Sequence, residues 1–395
     1  MSKTRTQVGI IGAGPSGLLL AHMLHLHGIS SVLIESQTRE YCEARIRAGL
    51  LEQGTVETLI NAGVGERLKK EGLSHRGVQF SFGGKRHRID LSKLTGGRQV
   101  TIYGQHEVVR DLIAARLADN GDLRFSVLDA AVHDIETTKP RITYRDQSGT
   151  HAIECDFIAG CDGFHGICRP SIPAGIRTAY DRKYPFAWLG ILAQAPIACD
   201  ELIYARHANG FALATMRSTD VTRMYLQCEP DEDLGQWSDD RIWSELHTRL
   251  EQSGDLKINE GKILQKGVTA MRSYVVEPMQ HGQLFLVGDA AHIVPPTGAK
   301  GMNLAVADVR VLARGLEAYY KKSNRDQLDR YSAACLARIW KVQRFSWWMT
   351  TLLHRFPEAE GFDAKVQLAE LDYVMGSRAA STALAENYVG LPLEI

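Results

Sequence analysis

Two short apolar runs, Val8 to Ile11 and Ser31 to Ile34, flank Gly12-Ala13-Gly14-Pro15-Ser16-Gly17 and a longer apolar stretch. Runs of that length bounded by turn residues predict buried strands, and the stretch between them predicts a helix, so the chain opens as a βαβ unit. A helix-like stretch then runs to about Leu68, and residues 76–103 alternate short β-type runs with Gly-Gly turns, as a strand meander would. Val108 to Leu117 has the spacing of an amphipathic helix. Residues 123–160 predict strands ending at Asp162-Gly163, and residues from about 180 to 275 are mostly β with one helix around Asp239 to Gln252. Leu284 to Val287 predicts a buried strand feeding Gly288-Asp289-Ala-Ala-His292, followed by two long helical segments, Asn303 to Lys321 and Leu328 to Phe356. The pattern as a whole predicts an α/β nucleotide-binding fold, interrupted by a β-rich insertion and closed by a helical C-terminal part.

Composition narrows the setting. The chain has 395 residues, 44% hydrophobic and 23% charged, ordinary values for a globular protein with a large core. Its formal net charge is zero, which favours neither nucleic acid nor an anionic membrane as partner. Lys3 and Arg5 before an apolar stretch imitate a secretion signal, but Gly12, Gly14, Pro15 and Gly17 break that stretch, and no run is long enough to cross a bilayer. The seven cysteines form no Cys-x-x-Cys pair, which predicts neither a disulfide framework nor a metal site and fits a reducing cytoplasm.

The glycine-rich turn carries the first chemistry. A strand turning sharply into a helix aims free N–H groups and the positive dipole end at a diphosphate. Gly12 permits the turn, Gly14 lets the backbone approach phosphate, and Gly17 lets helix and strand pack closely. Glu35, eighteen residues beyond Gly17, is placed to accept from a ribose hydroxyl pair. The same turn without a ligand remains the alternative. Asp162-Gly163 and Gly288-Asp289 both follow apolar strands, and an acid there can reach polyol hydroxyls at the crevice of an open α/β sheet. Either dipeptide alone also reads as a plain turn. There is no second Gly-x-Gly-x-x-Gly unit for a nicotinamide nucleotide.

Longer motifs extend this theme: Arg45-Ile-Arg47-Ala-Gly49, Tyr103-Gly-Gln105, Cys161-Asp162-Gly163-Phe164-His165-Gly166, Glu201-Leu-Ile-Tyr204, Gly288-Asp289 through Pro295-Pro296-Thr-Gly298-Ala-Lys300-Gly301, Phe345-Ser-Trp347-Trp348-Met349 and Glu386-Asn-Tyr388-Val-Gly390-Leu391-Pro392. With these the chain resembles, over essentially its whole length, the flavoprotein aromatic hydroxylases, the single-component FAD monooxygenases. The resemblance implies a Rossmann-like FAD-binding fold over residues 1–178 with the meander as an insertion, a β-rich substrate domain over 179–291, and a flavin-contacting loop with helical interface region over 292–395. It implies FAD contacts from Gly12, Gly14, Gly17, Glu35, Arg45, Arg47, Gln105, Asp162, Asp289, Gly298, Gly301, Met302 and Asn303, with NAD(P)H as a visiting co-substrate.

The implied substrate is a small aromatic acid bearing a phenol, 4-hydroxybenzoate, hydroxylated beside the phenol to 3,4-dihydroxybenzoate. A buried carboxylate needs a cation, and on a strand Thr215 and Arg217 share a face. On pattern alone Arg217 reads equally as a solvated strand-edge residue. By resemblance Arg217, Thr215 and Tyr225 grip the carboxylate; Thr215 stands where a serine is common, retaining the hydroxyl and adding a methyl. Electrophilic oxygen attacks a phenolate more readily than a phenol, and Tyr204 and Tyr388 are implied to relay the proton away, with His75 passing it to solvent. Pattern alone leaves the tyrosines as packing residues and the histidine as a surface residue. Pro296 is expected to turn a carbonyl toward the reacting carbon, and Gly298 to Gly301 to place N–H groups beside the flavin. Ser36-Gln37-Thr38 lacks the arginine that pairs with a 2′-phosphate, though Arg39, Tyr41 and Arg45 lie close, so NADPH is expected with NADH partly tolerated. The Ile339, Trp340, Phe345, Trp347, Trp348 and Met349 stripe is core or, as the resemblance suggests, a homodimer face. The alternatives are a hydroxylase of a related acid, such as 3-hydroxybenzoate or a dihydroxybenzoate, and a flavin-binding protein without catalysis. Asp162-Gly163 and Gly288-Asp289 disfavour a plain NAD-dependent dehydrogenase.

Overall fold

The computed structural model describes residues 2–46, 49–358 and 361–393. Strand Val8–Ile11 lies near the middle of a six-stranded sheet, with Ser31–Ile34 on one side and Phe157–Gly160 on the other, both parallel to it. Leu284–Leu286 continues the parallel order beyond Phe157–Gly160, Asp122–Arg124 does so beyond Ser31–Ile34, and Gln280–His281 closes one edge antiparallel. All four residues of Val8–Ile11 are buried, because both faces of the sheet are covered; this is why the strand reads as an unbroken apolar run. Since neighbouring strands run the same way, the turn at Gly12, Asp162 and Asp289 all follow C-terminal strand ends along one edge.

An eight-stranded sheet carries the second half of the architecture, in the order His292–Ile293, Lys262–Glu277, Thr178–Gln194, Thr222–Cys228, Gly210–Met216, Ile203–His207, Val78–Phe82, Lys85–Ile89. Its strands alternate cleanly. Ile203, Ala205, Ala212, Met224 and Leu226 pack into one cluster with helix Asp239–Leu250, while Tyr204, Phe211, Leu213 and Tyr225 face another.

The chain crosses between these sheets more often than the expected boundaries allow. Val78–Phe82 and Lys85–Ile89, expected as a meander within the first 178 residues, pair onto the edge of the eight-stranded sheet, parallel to the Tyr204 strand. The rest of that stretch holds a one-turn helix, Leu91–Leu94, and a strand, Val100–Ile102, that pairs with Leu50–Leu51 and Leu73–His75. Conversely, Leu284–Leu286 lies inside the expected substrate segment but belongs to the six-stranded sheet. The single helix expected up to Leu68 is two, Gln53–Asn61 and Glu66–Glu71.

At the C-terminal end, Gly301–Lys322 and Tyr331–Leu353 are the two long helices. Two more, Phe362–Gly376 and Arg378–Val389, fold back and bring Tyr388 inside. The aromatic stripe divides: Phe345 and Met349 are core, whereas Trp340 and Trp347 are each 41% exposed. No helix among the described residues is long and apolar enough to cross a membrane.

Gly12 has φ of +107°, and a Cβ there would stand 2.3 Å from the Cys161 carbonyl oxygen, whereas a Cβ at Gly14 meets nothing within 4 Å. Gly12→Ala is therefore expected to cost at least about 2 kcal/mol in urea unfolding, and Gly14→Ala less than about 1 kcal/mol.

Candidate active site

The glycine-rich turn opens helix Pro15–Leu26, with Pro15 at the first helical position, where its missing N–H leaves no intrahelical bond unmade. A Cβ at Gly17 would lie 2.0 Å from the Gly12 carbonyl oxygen, so only glycine lets the helix sit this close. Glu35 is held by the main chain: Ala13 N donates to one carboxylate oxygen at 2.7 Å, and Gln37 N donates to the other at 2.8 Å. That clamp fixes the acid at the end of the second strand, beside the turn.

Asp162 is the clearest sign of an absent partner. Its Oδ2 accepts from Cys168 N at 2.8 Å, while Oδ1 is buried with no hydrogen-bond partner, and burial raises its pKa. A buried carboxylate oxygen of this kind is satisfied by a hydroxyl donor. Asp289 is exposed on the short 3₁₀ turn Gly288–Ala290. That turn is anchored by Asp308, which accepts from Gly288 N at 3.0 Å and His292 Nε2 at 2.6 Å. Sequence reasoning missed Asp308; its signal is an acid on an otherwise apolar helix face. Gln105 begins helix Gln105–Ala118, and Arg45 is exposed, its guanidinium 5.9 Å from the Tyr41 ring centre. Arg47 lies outside the described residues.

Around helix Gly301–Lys322 the roles separate. The side chain of Asn303 is fully occupied by protein: Oδ1 accepts from Glu52 N and Thr55 Oγ1, and Nδ2 donates to the Leu50 and Ala299 carbonyls. It pins the helix start to the Leu50–Glu52 segment, and any ligand contact from Asn303 falls to its main-chain N–H. Nothing lies within 4 Å of a Cβ position at Gly14 or Gly301. Open space at both glycines, the unpartnered Asp162 oxygen and the clamped Glu35 fit an extended dinucleotide such as FAD.

The second half of the site is a patch of one sheet face. Across the strands Tyr204 stands opposite Leu213, Leu213 opposite Tyr225, and Tyr225 opposite Gly190; one pair further along, Thr215 stands opposite Arg223. Thr215 Oγ1 and Arg217 Nε are both buried without a partner, so two donors of the same patch await an acceptor. Burial pushes the Arg217 guanidinium below its ordinary range, with Tyr225 opposing the shift and Arg223 adding to it. Arg223, missed in the sequence, brings a second guanidinium 5.2 Å from the Tyr225 ring centre; its signal is its place two residues before Tyr225 on the same strand.

At the other end Tyr204 and Tyr388 are fully buried, with their hydroxyls 2.9 Å apart. Tyr204 donates to the Thr297 carbonyl at 2.9 Å, and a phenol has one proton, so Tyr388 is the donor to Tyr204. Burial raises the pKa of both. The carbonyl facing Tyr204 is thus that of Thr297, whereas the Pro296 carbonyl accepts from Ala299 N within the tight turn. His75, expected to meet solvent, is 1% exposed, and neither ring nitrogen has a partner. A short strand against Val100 carries it inward, and no hydrogen bond joins it to either tyrosine. Burial lowers its pKa to about 4, with Glu201 and Asp200 opposing.

Two further groups were not legible beforehand. His354 accepts from Trp188 Nε1 at 2.7 Å and donates to the Thr350 carbonyl at 2.9 Å, which fixes a neutral tautomer whose pKa burial lowers to about 3. It stacks on Phe211, and Trp188 in turn lies 4.8 Å from Tyr225, so this pair backs the patch. Lys300, 1% exposed, reaches Glu52 at 2.7 Å and the carbonyls of Asn387 and Tyr388 at 2.6 and 2.9 Å.

The histidine shift sets a pH dependence. Unfolded, His75 takes a proton near pH 6.5; folded, it does so only near pH 4, so stability is complete above the unfolded value and falls as pH drops through that window. Between pH 7 and 5 His75 is expected to account for about 2 kcal/mol of lost unfolding free energy, and His75→Gln to flatten the urea-unfolding profile by about that amount.

Comparison with known proteins adds the following. Residues 5–346 match the family described as FAD binding domain. The chain is 48% identical over 396 residues to the p-hydroxybenzoate hydroxylase of Acinetobacter baylyi, covering 100% of this chain and 98% of that protein. It is 24% identical over 350 residues to a probable NADH-specific resorcinol 4-hydroxylase of Rhodococcus jostii, covering 82% of this chain and 61% of that protein. Among solved structures, a p-nitrophenol 4-monooxygenase from Pseudomonas putida DLL-E4 matches with a TM-score of 0.81 at 17% identity, covering 99% of this chain and 100% of its own, a likeness of fold. An aklavinone-11 hydroxylase solved with FAD and aklavinone matches at 0.73 and 20% identity, covering 90% and 72% respectively.

Proposed function

Because the chain belongs to the FAD-dependent aromatic hydroxylases, we propose that it hydroxylates 4-hydroxybenzoate at the 3-position, giving 3,4-dihydroxybenzoate and consuming NAD(P)H and O2. The observation that carries the substrate is the polarity of one buried patch. Unpartnered donors from Thr215 and Arg217 stand at one end and a buried pair of phenols at the other, matching a ring with a carboxylate opposite a hydroxyl.

Arg217 supplies the charge that a buried carboxylate requires, Thr215 and Tyr225 add hydroxyl donors, and Arg223 strengthens the field. At the far end the substrate hydroxyl hands its proton to Tyr204 Oη; Tyr204 swings its own O–H from the Thr297 carbonyl to Tyr388 Oη, 2.9 Å away, and Tyr388 releases its proton onward. Both tyrosines are disfavoured as anions by burial, so they pass the proton as neutral phenols and hold no charge of their own. Onward release through His75 needs that ring to gain a partner it lacks in this conformation. Trp188, Phe211 and Leu213 wall the patch with apolar surface and keep water from the reacting carbon. Bound FAD, with Glu35 toward its ribose, Asp162 and Asp289 toward its polyol and the Gly301–Lys322 helix start toward its ring, supplies electron transfer from the nicotinamide and activation of O2.

The donor is NADPH, with NADH partly tolerated. Ser36 and Gln37 are turned onto Glu35, and Arg39 is paired with Glu43 at 2.6 Å, which leaves exposed Arg45 among the described residues as a cation for a 2′-phosphate. The exposed Trp340, Trp347, Phe362 and Tyr373 fit a homodimer face, and the cytoplasm is the setting. A second reading, a related hydroxybenzoate as substrate, draws on the additional methyl of Thr215, a residue that stands opposite Arg223 in the sheet.

Oxygen uptake with 4-hydroxybenzoate, either nicotinamide donor and catalase tests the reading, with the product identified by chromatography over a panel of hydroxybenzoates. Near-stoichiometric 3,4-dihydroxybenzoate and a higher kcat/KM for NADPH are expected; another acid turned over better, or no substrate-stimulated NAD(P)H oxidation, overturns it. Tyr204→Phe is expected to keep NAD(P)H oxidation while product per NAD(P)H falls by about tenfold or more.

A further inference from the structure

Helix Gly301–Lys322 presents Asn303, Val306, Ala307 and Arg310 along one side, three and four residues apart. That side, residues of helix Gln53–Asn61 and the segment Gly390 to Leu393 enclose a cavity of about 230 Å³. Its charged lining is three guanidinium groups, Arg98, Arg310 and Arg338, and two carboxylates, Glu52 and Glu57.

The carboxylates are already engaged. Glu52 takes Lys300 at 2.7 Å and Arg338 at 3.2 Å, and Glu57 accepts from the Gln53 amide at 3.0 Å. The guanidiniums are not satisfied in return. Arg310 is half-buried and has no hydrogen bond or ion pair with any described residue, and the Arg98 side chain has none either. Arg338 gives its Nη groups to Glu52 and the Leu391 carbonyl, but its Nε is buried without a partner. Burial pushes the Arg310 pKa down, the charge of Arg338 adds to this, and Glu57 opposes. Cationic forks lining one partly buried cavity repel one another, and an oxyanion between them removes the repulsion while filling several donors at once.

We propose that this cavity binds a compact oxyanion of two negative charges, inorganic phosphate or a small dicarboxylate, at a place separate from the aromatic substrate site. The space exceeds the volume of one water several-fold, enough for such an anion with part of its hydration.

The FAD-loaded protein, exchanged into phosphate-free buffer, is titrated calorimetrically with sodium phosphate or sodium succinate against sodium chloride at matched ionic strength. One saturable site per chain is expected for at least one probe, with Kd at or below about 1 mM. Phosphate alone binding identifies a mineral oxyanion, succinate alone a dicarboxylate, and both a site reading shared charge and shape. Arg310→Gln is expected to weaken binding at least tenfold while keeping the wild-type flavin spectrum and Tm, and Arg98→Gln serves as the second variant should the first fail to fold. Heats no larger than the chloride control, or an affinity unchanged in the folded variant, overturn the proposal.

Discussion

Lys300 is a cation almost wholly removed from water, and such a group persists in a fold only when oxygens surround it. Here they come from distant parts of the chain: the Glu52 carboxylate beside helix Gln53–Asn61 and the carbonyls of Asn387 and Tyr388 in the last helix. Removing one partner of a buried ion pair costs about 3–5 kcal/mol because the other is left stranded. The loop before helix Gly301–Lys322, the Leu50–Glu52 segment and the helix bearing Tyr388 are therefore held as one body. The start of helix Gly301–Lys322 and the helix bearing the buried phenol meet at that ammonium.

The sheet supplies the remaining order through its period of two. Every second residue of three adjacent strands lies on one sheet face, so Tyr204, Leu213, Thr215, Arg223 and Tyr225 are juxtaposed by register alone. At one end Thr215 Oγ1 and Arg217 Nε lack partners, whereas the phenol hydroxyls at the other are joined to each other and to a backbone carbonyl. In the proposed reaction an anionic acceptor meets the donors that are idle, and the proton leaves where a chain of hydroxyls already exists. Behind both, the neutral His354 and Trp188 stack the aromatic wall without adding charge.

The nucleotide-binding half was legible because its signals are local. Gly17 is dictated by its approach to the Gly12 carbonyl within one strand–turn–helix, Gly12 by the positive φ of the turn itself, and Glu35 and Asp162 sit at strand ends that apolar runs announce. The meander was misplaced because strand pairing is a long-range matter. Nothing in Val78–Phe82 itself says that it will lie against Ile203–His207. Likewise the burial of His75 depends on Val100, and the anchoring of Gly288 on Asp308, partners that periodicity cannot reveal. Arg223 alternates with Tyr225 on one strand and was within reach of pattern reasoning; Lys300 was not, since its three oxygen partners come from opposite ends of the sequence.

The phenol pair joins residues 184 positions apart, and its second member lies in the last helix of the described chain. During synthesis on the ribosome the nucleotide-binding sheet and the whole eight-stranded sheet are translated before Tyr388 emerges. Both sheets can thus form before the phenol pair, which is complete only when the final helix reaches the Lys300 ammonium.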